Sequence, residues 1–492
     1  MEEVRVEPVR LDRLEQVIGP QRSAVLAEAA RFARAAFADR VIWHVNATAR
    51  GGGVAEMLAW LLAYGSGAGV ANRWLVLDGD PAFFTLTKRL HNMLHGVAGD
   101  GGPLGAAEHE HYQAVLRENL DELAPLVRPG DLVLLHDPQT AGMAADLVRL
   151  GAHVVWRCHV GRDDTDEYTE QAWAFLREYV DPAAAFVFSR RSYAPGWIDP
   201  SRLFVIPPSI DPFSAKNVEL TRHEVTELLA AAGLVTGAEI TEPVSFPRRD
   251  GTTGTIRRRH DTVTLDGPGP PHDVPLVVQV SRWDRLKDMP GVMVGFVRAV
   301  TGLSEDDKDT ALATAHLLLV GPETSGVSDD PEGAEVLTQC REQRARLPEP
   351  VRERIHLASL PLDDVDENAV LVNAIQRRAD VVVQKSLQEG FGLTVAEAMW
   401  KRRALLASRV GGIPDQIEDG RDGLLLDDPA DLDEFAAKLR LLLRDDLLRA
   451  RLGDGAYDRV HSDYLGDRHL RQYASLFEHL IGAEEGDAAA GE

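Results

Sequence analysis

Two glutamates, Glu389 and Glu397, lie eight positions apart around the glycine-rich corner 390–392. The residues that follow read as a helix, so the amides of Leu393 and Thr394 would be unpaired donors of its first turn. A helix N-terminus of this kind binds anions, because the free amides and the positive end of the helix dipole coincide. The stretch therefore predicts a phosphate-binding corner, formed by Gly390, Phe391 and Gly392, with a carboxylate on each side.

A second stretch, VSRWDRLKDMPG at 280–291, places Arg282 and Lys287 just after a predicted strand. Two cations five residues apart on such a loop can neutralise a diphosphate from both sides. The alternative is a solvated charged loop in which Asp284 and Asp288 are the partners. A ligand with hydroxyl groups on both sides of its phosphates fits both stretches, and a nucleotide sugar is such a ligand. No Asp-x-Asp motif accompanies these loops, so neither a metal nor another cofactor is expected.

A third candidate is the corner Gly51-Gly52-Gly53 before the apolar run VAEMLAWLL. It can present amides at a helix start, although a tight turn explains three glycines equally well. The stretch is neither a GxGxxG dinucleotide pattern nor a P-loop, so it supports neither an NAD enzyme nor an ATPase. Paired carboxylates of a glycosidase are a competing interpretation of Glu389 and Glu397. The loop-to-helix step between them points them at different parts of a ligand, which argues against hydrolysis.

The elements that must position these residues form two similar halves. Short apolar strands alternate with amphipathic helices in both, which predicts parallel βαβ units and two doubly wound sheets. Ligands of such sheets bind at the carboxyl ends of the strands. We predict an N-terminal domain over 1–211, an excursion with a helix and a hairpin over 212–275, a C-terminal domain over 276–460, and a C-terminal helix with a disordered acidic tail over 461–492.

The bulk composition excludes several classes of protein. A formal charge of −25 argues against a general binder of nucleic acid or anionic membranes. The two cysteines are too few for a disulfide framework, and neither sits in a metal-ligand pattern. The N-terminus lacks the apolar core of a signal peptide, and no segment is long and apolar enough to span a membrane. We expect a cytoplasmic protein whose partners are small sugars and a nucleotide sugar; a homodimer stays open.

Together these motifs resemble a known family. The Glu389-x7-Glu397 spacing, the loop at 281–288 and the segment VGGIPDQIEDGRDGLLL are similar to retaining GT-B glycosyltransferases of the glycogen synthase and sucrose synthase type. Within that class, the first half resembles the trehalose glycosyltransferring synthases in HVNATARGGGVAEML, DGDPAFFTLTKRLHNMLHG, LLHDPQTAG, WRCHVG and IPPSIDPFSAKN. The resemblance implies an α/β GT-B fold, in which two Rossmann-like doubly wound domains face each other across a cleft.

The resemblance also implies roles in the donor site. Arg282 and Lys287 would stabilise the departing nucleoside diphosphate, Glu397 would bind the ribose hydroxyls, and Glu389 would bind the donor glucose. Gly53 would offer its amide to the donor.

In the first half, His159 would face the glucose near its reacting carbon, and with Arg282, Lys287 and Glu389 it completes the implied catalytic set. Without the resemblance, a buried and hydrogen-bonded histidine is the simpler interpretation of His159. The residues implied near the acceptor sugar are Lys88, Asn92, Asp137 and Gln139.

The activity that the resemblance implies is transfer of glucose from a nucleoside diphosphate-glucose to free glucose, which gives trehalose with retention of configuration. Two alternatives remain open at this point. A trehalose phosphorylase would use the same fold and the same phosphate-binding corner. A catalytically idle sugar-binding protein would keep the site without the reaction.

Overall fold

The computed structural model describes residues 1–49, 53–240, 242–249, 251–257, 267–304, 307, 311–324 and 332–490. The chain divides into two compact units. The first unit comprises Met1–Ile210 together with Tyr464–Glu492, and the second unit comprises Asp211–Asp463.

The first unit is built on seven strands: β1 (Glu2–Val4), β2 (Ile42–Asn46), β3 (Asn72–Val76), β4 (Leu132–His136), β5 (His153–Cys158), β6 (Ala185–Phe188) and β7 (Leu203–Val205). Their order in the sheet is β1-β3-β2-β4-β5-β6-β7. β1 pairs antiparallel with β3, and the other neighbours are parallel. Every residue of β2, β4 and β6 is buried, as expected for a parallel sheet that is covered on both faces.

The second unit contains a hairpin and a second sheet: β8 (Ser245–Pro247), β9 (Thr253–Thr255), β10 (Leu276–Val280), β11 (His316–Pro322), β12 (Ile355–Leu360), β13 (Val381–Gln384), β14 (Ala404–Ser408) and β15 (Leu424–Leu426). The sheet has the order β12-β11-β10-β13-β14-β15 and is parallel throughout. The strand order reverses between β10 and β13, and in the first unit it reverses between β2 and β4. Loops that leave the carboxyl ends of the strands at such a point form a ligand-binding crevice.

The helices of the chain are α1 (Asp12–Ala36), α2 (Gly53–Gly67), α3 (Pro81–Leu94), α4 (Ala106–Leu123), α5 (Ala144–Arg149), α6 (Glu167–Val180), α7 (Arg222–Ala231), α8 (Met289–Val300), α9 (Ala311–Thr314), α10 (Glu332–Ala345), α11 (Glu349–Arg352), α12 (Val365–Arg378), α13 (Leu393–Trp400), α14 (Ile413–Gln416), α15 (Leu432–Arg444), α16 (Asp446–Asp463) and α17 (Gly466–Ala490). The predicted alternation of strands and helices is confirmed in both units. β1 and α1 were not predicted, because β1 is short and polar and α1 carries Gly19 and Pro20 at an internal kink.

The excursion at 212–275 is part of the second unit. It contains α7 and the predicted hairpin, of which β8 and β9 lie inside the described residues while 258–266 do not. Two arginines of the hairpin form ion pairs at the start of α12, Arg248 with Asp364 and Arg249 with Asp366. The hairpin therefore packs on the N-terminal end of α12, a helix of its own unit. Acidic side chains such as Asp364 and Asp366 are favoured there by the positive end of the helix dipole.

The C-terminal helix also differs from the predicted division, which set 461–492 apart. α17 belongs to the first unit, because its apolar face carries Tyr473, Leu476 and Phe477 into the core that also contains Phe37 and Leu134. The helix continues to Ala490, into the tail that was predicted to be disordered. An acidic, alanine-rich sequence is compatible with both states, since alanine is the strongest helix former.

Candidate active site

In the second unit, two sequence-distant loops meet at the carboxyl edge of the sheet. β10 and β13 are hydrogen-bonded neighbours, so the loops that follow them leave the sheet side by side. Lys287 lies on the first loop and Glu389 on the second, and Lys287 Nζ is 2.6 Å from Glu389 Oε2. The structure thus joins a predicted diphosphate-binding cation to a predicted sugar-binding carboxylate, 102 residues apart in the chain.

The carboxylate of Glu389 is held by further donors. Its Oε2 also accepts hydrogen bonds from Ser386 Oγ at 3.0 Å and from Gln384 Nε2 at 3.2 Å. Thr394 Oγ1 in turn donates to Gln384 Oε1 at 2.9 Å, which fixes the amide orientation. Sequence reasoning did not single out Gln384 and Ser386. The signal that would have found them is a change from apolar to polar residues at the end of a buried strand.

The glycine-rich corner has the geometry that an anion site at a helix start requires. Gly392 is the N-cap of α13 with a φ of 84°, in the left-handed region that favours glycine. Leu393 and Thr394 are the first two residues of the helix, so their amides precede its first internal hydrogen bonds. Gly412 packs on the corner: a Cβ added there would lie 2.8 Å from Phe391 Cα and 2.9 Å from the Gly390 oxygen.

Glu397 lies in the second turn of α13 and is 4% exposed. Lys401 follows one turn later and is buried; its Nζ donates to the Glu397 carbonyl at 3.0 Å and to Gln376 Oε1 at 2.7 Å. Burial lowers the pKa of Lys401 to about 7, against the opposing charge of Glu397. Lys401 therefore supports the helix turn that carries Glu397, a role that its sequence position did not suggest.

Arg282 is placed differently from Lys287. Its side chain is 42% exposed, and its guanidinium lies 3.6 Å from Asp284, a carboxylate of the same loop. In this respect the loop matches the alternative of a charged loop with internal partners. The leaving-group role of Arg282 stays a prediction.

In the first unit, three histidines form a row along the sheet. His44 Nδ1 lies 3.2 Å from His136 Nε2, and His136 Nδ1 lies 3.0 Å from His159 Nε2. His44 and His136 are buried in β2 and β4, whereas His159 follows β5 and is partly exposed. The predicted residue His159 is thus the accessible end of a row whose other members sequence reasoning missed.

Burial keeps this row neutral, and a buried cation beside it reinforces the effect. Arg157 is 0% exposed, and its Nε lies 3.2 and 3.3 Å from the two ring nitrogens of His159. Its two terminal nitrogens donate to Tyr473 Oη and to the Ile206 carbonyl. Burial, with the Arg157 charge beside it, lowers the pKa of His159 well below its usual value. His159 is therefore a neutral hydrogen-bonding group at pH 7.

Asp137 directly follows β4 and has a left-handed backbone with a φ of 62°. A non-glycine residue in this conformation is strained and is frequent at functional sites. Its Oδ1 accepts a hydrogen bond from the His159 amide at 2.7 Å. Burial raises the pKa of Asp137 to about 7, although the His159 amide and Arg157 oppose the shift. Two predicted residues, Asp137 and His159, are thus brought into direct contact.

The remaining predicted residues are less tightly connected. Gln139 is half-buried two positions after Asp137, and Lys88 and Asn92 are half-buried one turn apart on α3. Among the described residues, no hydrogen bond links these three side chains to Asp137 or His159. Gly53 is the exposed first residue of α2, as an amide donor at a helix start should be, whereas Gly51 and Gly52 lie outside the described residues.

No described helix is long and apolar enough to cross a membrane. No group of three or more His, Cys, Asp or Glu side chains in the described ranges has the arrangement of a metal site.

Comparison with known proteins identifies the family. Residues 44–195 match the trehalose synthase N-terminal domain family, and 367–459 match the glycosyl transferases group 1 family. Trehalose synthase of Rubrobacter xylanophilus is 33% identical, over 90% of this chain and 91% of that protein. Trehalose phosphorylase of Pleurotus pulmonarius is 27% identical over 86% of this chain, but only 54% of that protein is covered.

Among solved structures, a trehalose-6-phosphate synthase, OtsA, has the same fold, with a TM-score of 0.65 at 15% identity over 90% of this chain and 99% of that one. The predicted GT-B fold, with its two Rossmann-like α/β domains, is thereby confirmed. The chain belongs to the trehalose synthase family of GT-B glycosyltransferases.

Proposed function

We propose that this protein transfers glucose from a nucleoside diphosphate-glucose to free glucose and forms trehalose with retention of configuration. The single observation that carries the proposal is the Lys287–Glu389 pair beside the Gly392 helix start. It combines a cation, a carboxylate and first-turn amides at one point of the sheet edge. A nucleotide sugar offers a matching series of groups: a diphosphate for the cation and amides, and sugar hydroxyls for the carboxylate.

Departure of the diphosphate is the step that Lys287 assists. Negative charge develops on the leaving phosphate as the glycosidic bond breaks, and a fixed cation aimed at that charge lowers the barrier. The amides of Leu393 and Thr394 add partial positive charge at the same place. Arg282, on the same loop, has the length and exposure to join them when the donor binds.

Two carboxylates would orient the donor. Glu389 accepts hydrogen bonds from the donor glucose, and Lys287, Gln384 and Ser386 hold the carboxylate in a fixed position for this contact. Glu397 accepts hydrogen bonds from the ribose. The positive charges replace a metal ion in this proposal, so no divalent cation and no further cofactor is required.

The first unit would supply the acceptor side. Asp137 and His159 are in contact with each other. In this role the neutral imidazole contacts the transferred glucose, and the Asp137 carboxyl group accepts a hydrogen bond from a sugar hydroxyl. Neither residue needs to exchange a proton. Lys88, Asn92 and Gln139 are further polar groups suited to a polyhydroxyl ligand. Retention follows if the acceptor attacks from the leaving-group face, with the leaving phosphate oxygen taking its proton.

The test is product analysis with UDP-glucose and ADP-glucose, each supplied with free D-glucose. We expect a non-reducing disaccharide whose NMR spectrum shows two equivalent α-anomeric protons, and the same rate after treatment with a chelator. A reducing disaccharide would contradict the proposed acceptor and linkage. Activity that disappears with the chelator and returns with Mg²⁺ would contradict the proposed charge balance.

The similarity to a trehalose phosphorylase favours a second candidate function. A phosphorylase would use inorganic phosphate at the corner where the proposal places the donor diphosphate. Incubation of the protein with trehalose and phosphate, without nucleotide, separates the two. Release of glucose 1-phosphate would support the phosphorylase, and a requirement for a nucleoside diphosphate would support the transferase.

A further inference from the structure

Lys385, the residue directly after β13, is fully buried and carries a positive charge that the proposed reaction does not use. Its side chain is 1% exposed and forms an ion pair with Asp288. Asp288 lies on the loop that follows β10 and is the neighbour of Lys287. A lysine is almost never fully buried unless it is paired, so Lys385 needs the Asp288 carboxylate. Because Lys385 directly follows β13, the ion pair holds the loop after β10 against the sheet.

Asp288 has an unusual backbone. Its φ is 45°, in the left-handed region, and its side chain caps α8 by accepting a hydrogen bond from the Gly291 amide at 3.0 Å. The carboxylate lies so close to Gly291 that a Cβ there would come within 2.1 Å of Asp288 Oδ2. The backbone conformation at Asp288, the residue after Lys287, therefore depends on where the Asp288 carboxylate is held.

A buried amide connects the same two loops a second time. Gln279, in β10, accepts a hydrogen bond from the Lys385 amide at 3.0 Å. Its Nε2 donates to the Lys287 carbonyl at 2.7 Å. One residue earlier, the Leu286 carbonyl accepts a hydrogen bond from the Leu387 amide at 2.7 Å. Contacts from Gln279 or from the β13 side thus hold three successive residues: the Leu286 carbonyl, the Lys287 carbonyl and the Asp288 carboxylate.

We propose that Lys385 is a positioning residue for Lys287: its ion pair with Asp288 fixes the turn from which Lys287 reaches Glu389. The inference rests on the proposed function in one respect, since it takes Lys287 to be the group that meets the leaving diphosphate. Lys385 itself touches no substrate. It acts by holding Asp288 in the left-handed conformation, which directs the Lys287 side chain toward the second loop.

The alternative is that the pair only stabilises the second unit. The two readings differ in what a substitution changes. Loss of a stabilising pair lowers the melting temperature and leaves turnover per folded molecule unchanged. Loss of a positioning pair lowers kcat, because a shift of about 1 Å in a group aimed at the transition state costs roughly tenfold to a hundredfold in rate.

The first experiment is kinetic and uses the full chain. Lys385→Met removes the charge and keeps most of the length of the side chain. We expect kcat to fall by about tenfold or more with a donor KM within about threefold of the wild type. Lys438→Met is the control for loss of a paired lysine, because Lys438, at 24% exposure, pairs with Glu434 on α15, away from the two loops. We expect the control to change kcat by less than about twofold. Equal kcat in wild type and Lys385→Met would overturn the proposal.

A double-variant cycle tests whether the pair acts as one unit. Asp288→Asn keeps the helix cap and the tolerance of a left-handed backbone, and it also serves as the test variant if Lys385→Met does not fold. If the ion pair positions Lys287, the double variant Lys385→Met/Asp288→Asn loses no more kcat than the worse single variant. Multiplicative losses would show that the two residues act independently and would contradict the inference.

A crystal structure of Lys385→Met separates this inference from the proposed function. We expect the Lys287 Nζ to Glu389 separation to exceed hydrogen-bonding distance, whether or not the protein transfers glucose. An unchanged contact would overturn the positioning role alone. Full turnover by Lys287→Met, measured in parallel, would instead overturn the proposed leaving-group role and leave the structural result standing.

Discussion

The carboxyl edges of the two sheets carry different kinds of polar group. In the second unit the edge holds fixed charges in opposite pairs, Lys287 with Glu389 and Lys385 with Asp288. In the first unit it holds imidazoles that are kept neutral and a carboxyl group, Asp137, whose pKa is raised by burial to about 7.

The difference has a chemical meaning within the proposed reaction. A diphosphate that gains charge is stabilised by preorganised cations, whereas an uncharged acceptor sugar needs only hydrogen-bonding partners for its hydroxyl groups. Two sheets of similar topology therefore present different polar groups at the carboxyl ends of their strands: ion pairs in the second unit, and neutral imidazoles with a carboxyl group in the first. The fold supplies the edge, and the residues directly after the strands determine what it can bind.

The largest effect is expected from the charged edge. Lys287→Ala should lower kcat by about a hundredfold or more, because a preorganised group at a developing charge is worth roughly 3 kcal/mol. Steady-state kinetics with a melting curve measures this, and Lys438→Ala on α15 is a control for loss of a paired lysine. A kcat of Lys287→Ala near that of the wild type would show that the charged edge of the second unit does not assist departure of the diphosphate. The proposed difference between the two sheet edges would then have no support.

A smaller effect is expected from the packing beneath the phosphate-binding corner. Gly412→Ala would place a Cβ 2.8 Å from Phe391 Cα, so the corner must shift. We expect kcat to fall by about tenfold and stability by about 1–3 kcal/mol, as in other overpacked sites. Gly196→Ala is the control, since its added Cβ meets no heavy atom within 4 Å. Unchanged kinetics in Gly412→Ala would show that the corner does not depend on this contact.

Much of this architecture could be predicted from the sequence, because it depends on local patterns. Apolar runs of strand length predicted the two sheets, and the glycine-rich corner 390–392 predicted the start of α13 at Leu393. The contact between Lys287 and Glu389 was not predictable as a distance, since it follows from the pairing of β10 with β13. Such pairing depends on the whole sheet rather than on either loop.

Buried polar partners were the main omission. Lys385, Arg157 and His136 each lie in or next to a strand that reads as apolar. Arg157 and His136 fall inside segments that carry the family resemblance, but no role was assigned to them there. Their roles come from partners that are distant in sequence, such as Tyr473 on α17 for Arg157. A single sequence records the residue types but not these pairings, so the neutral edge of the first unit became visible only in the structure.

The smallest effect concerns the neutral edge and its dependence on pH. The folded-state pKa of Asp137, about 7, lies above its ordinary value of 3.8. Between these two pKa values, Asp137 keeps its proton in the folded protein but loses it in the unfolded chain. The free energy of unfolding therefore falls as the pH rises, and the stabilising contribution of the protonated group is lost by about pH 7. Asn at this position does not titrate and still accepts a hydrogen bond from the His159 amide.

Asp137→Asn should therefore be more stable than the wild type at pH 8.5, by about 1 kcal/mol or roughly 2–4 °C in Tm, with a smaller difference at pH 5. The modest size reflects partial exposure of the side chain, which screens the charge. Calorimetry of both proteins at the two pH values measures it, and Asp199→Asn, on an exposed turn, shows how much a charge-removing substitution does elsewhere. A stability difference between Asp137→Asn and the wild type that stays constant from pH 5 to 8.5 would mean that Asp137 is ionised throughout. The first unit would then carry a fixed charge at its edge, and the contrast with the second unit would be one of degree.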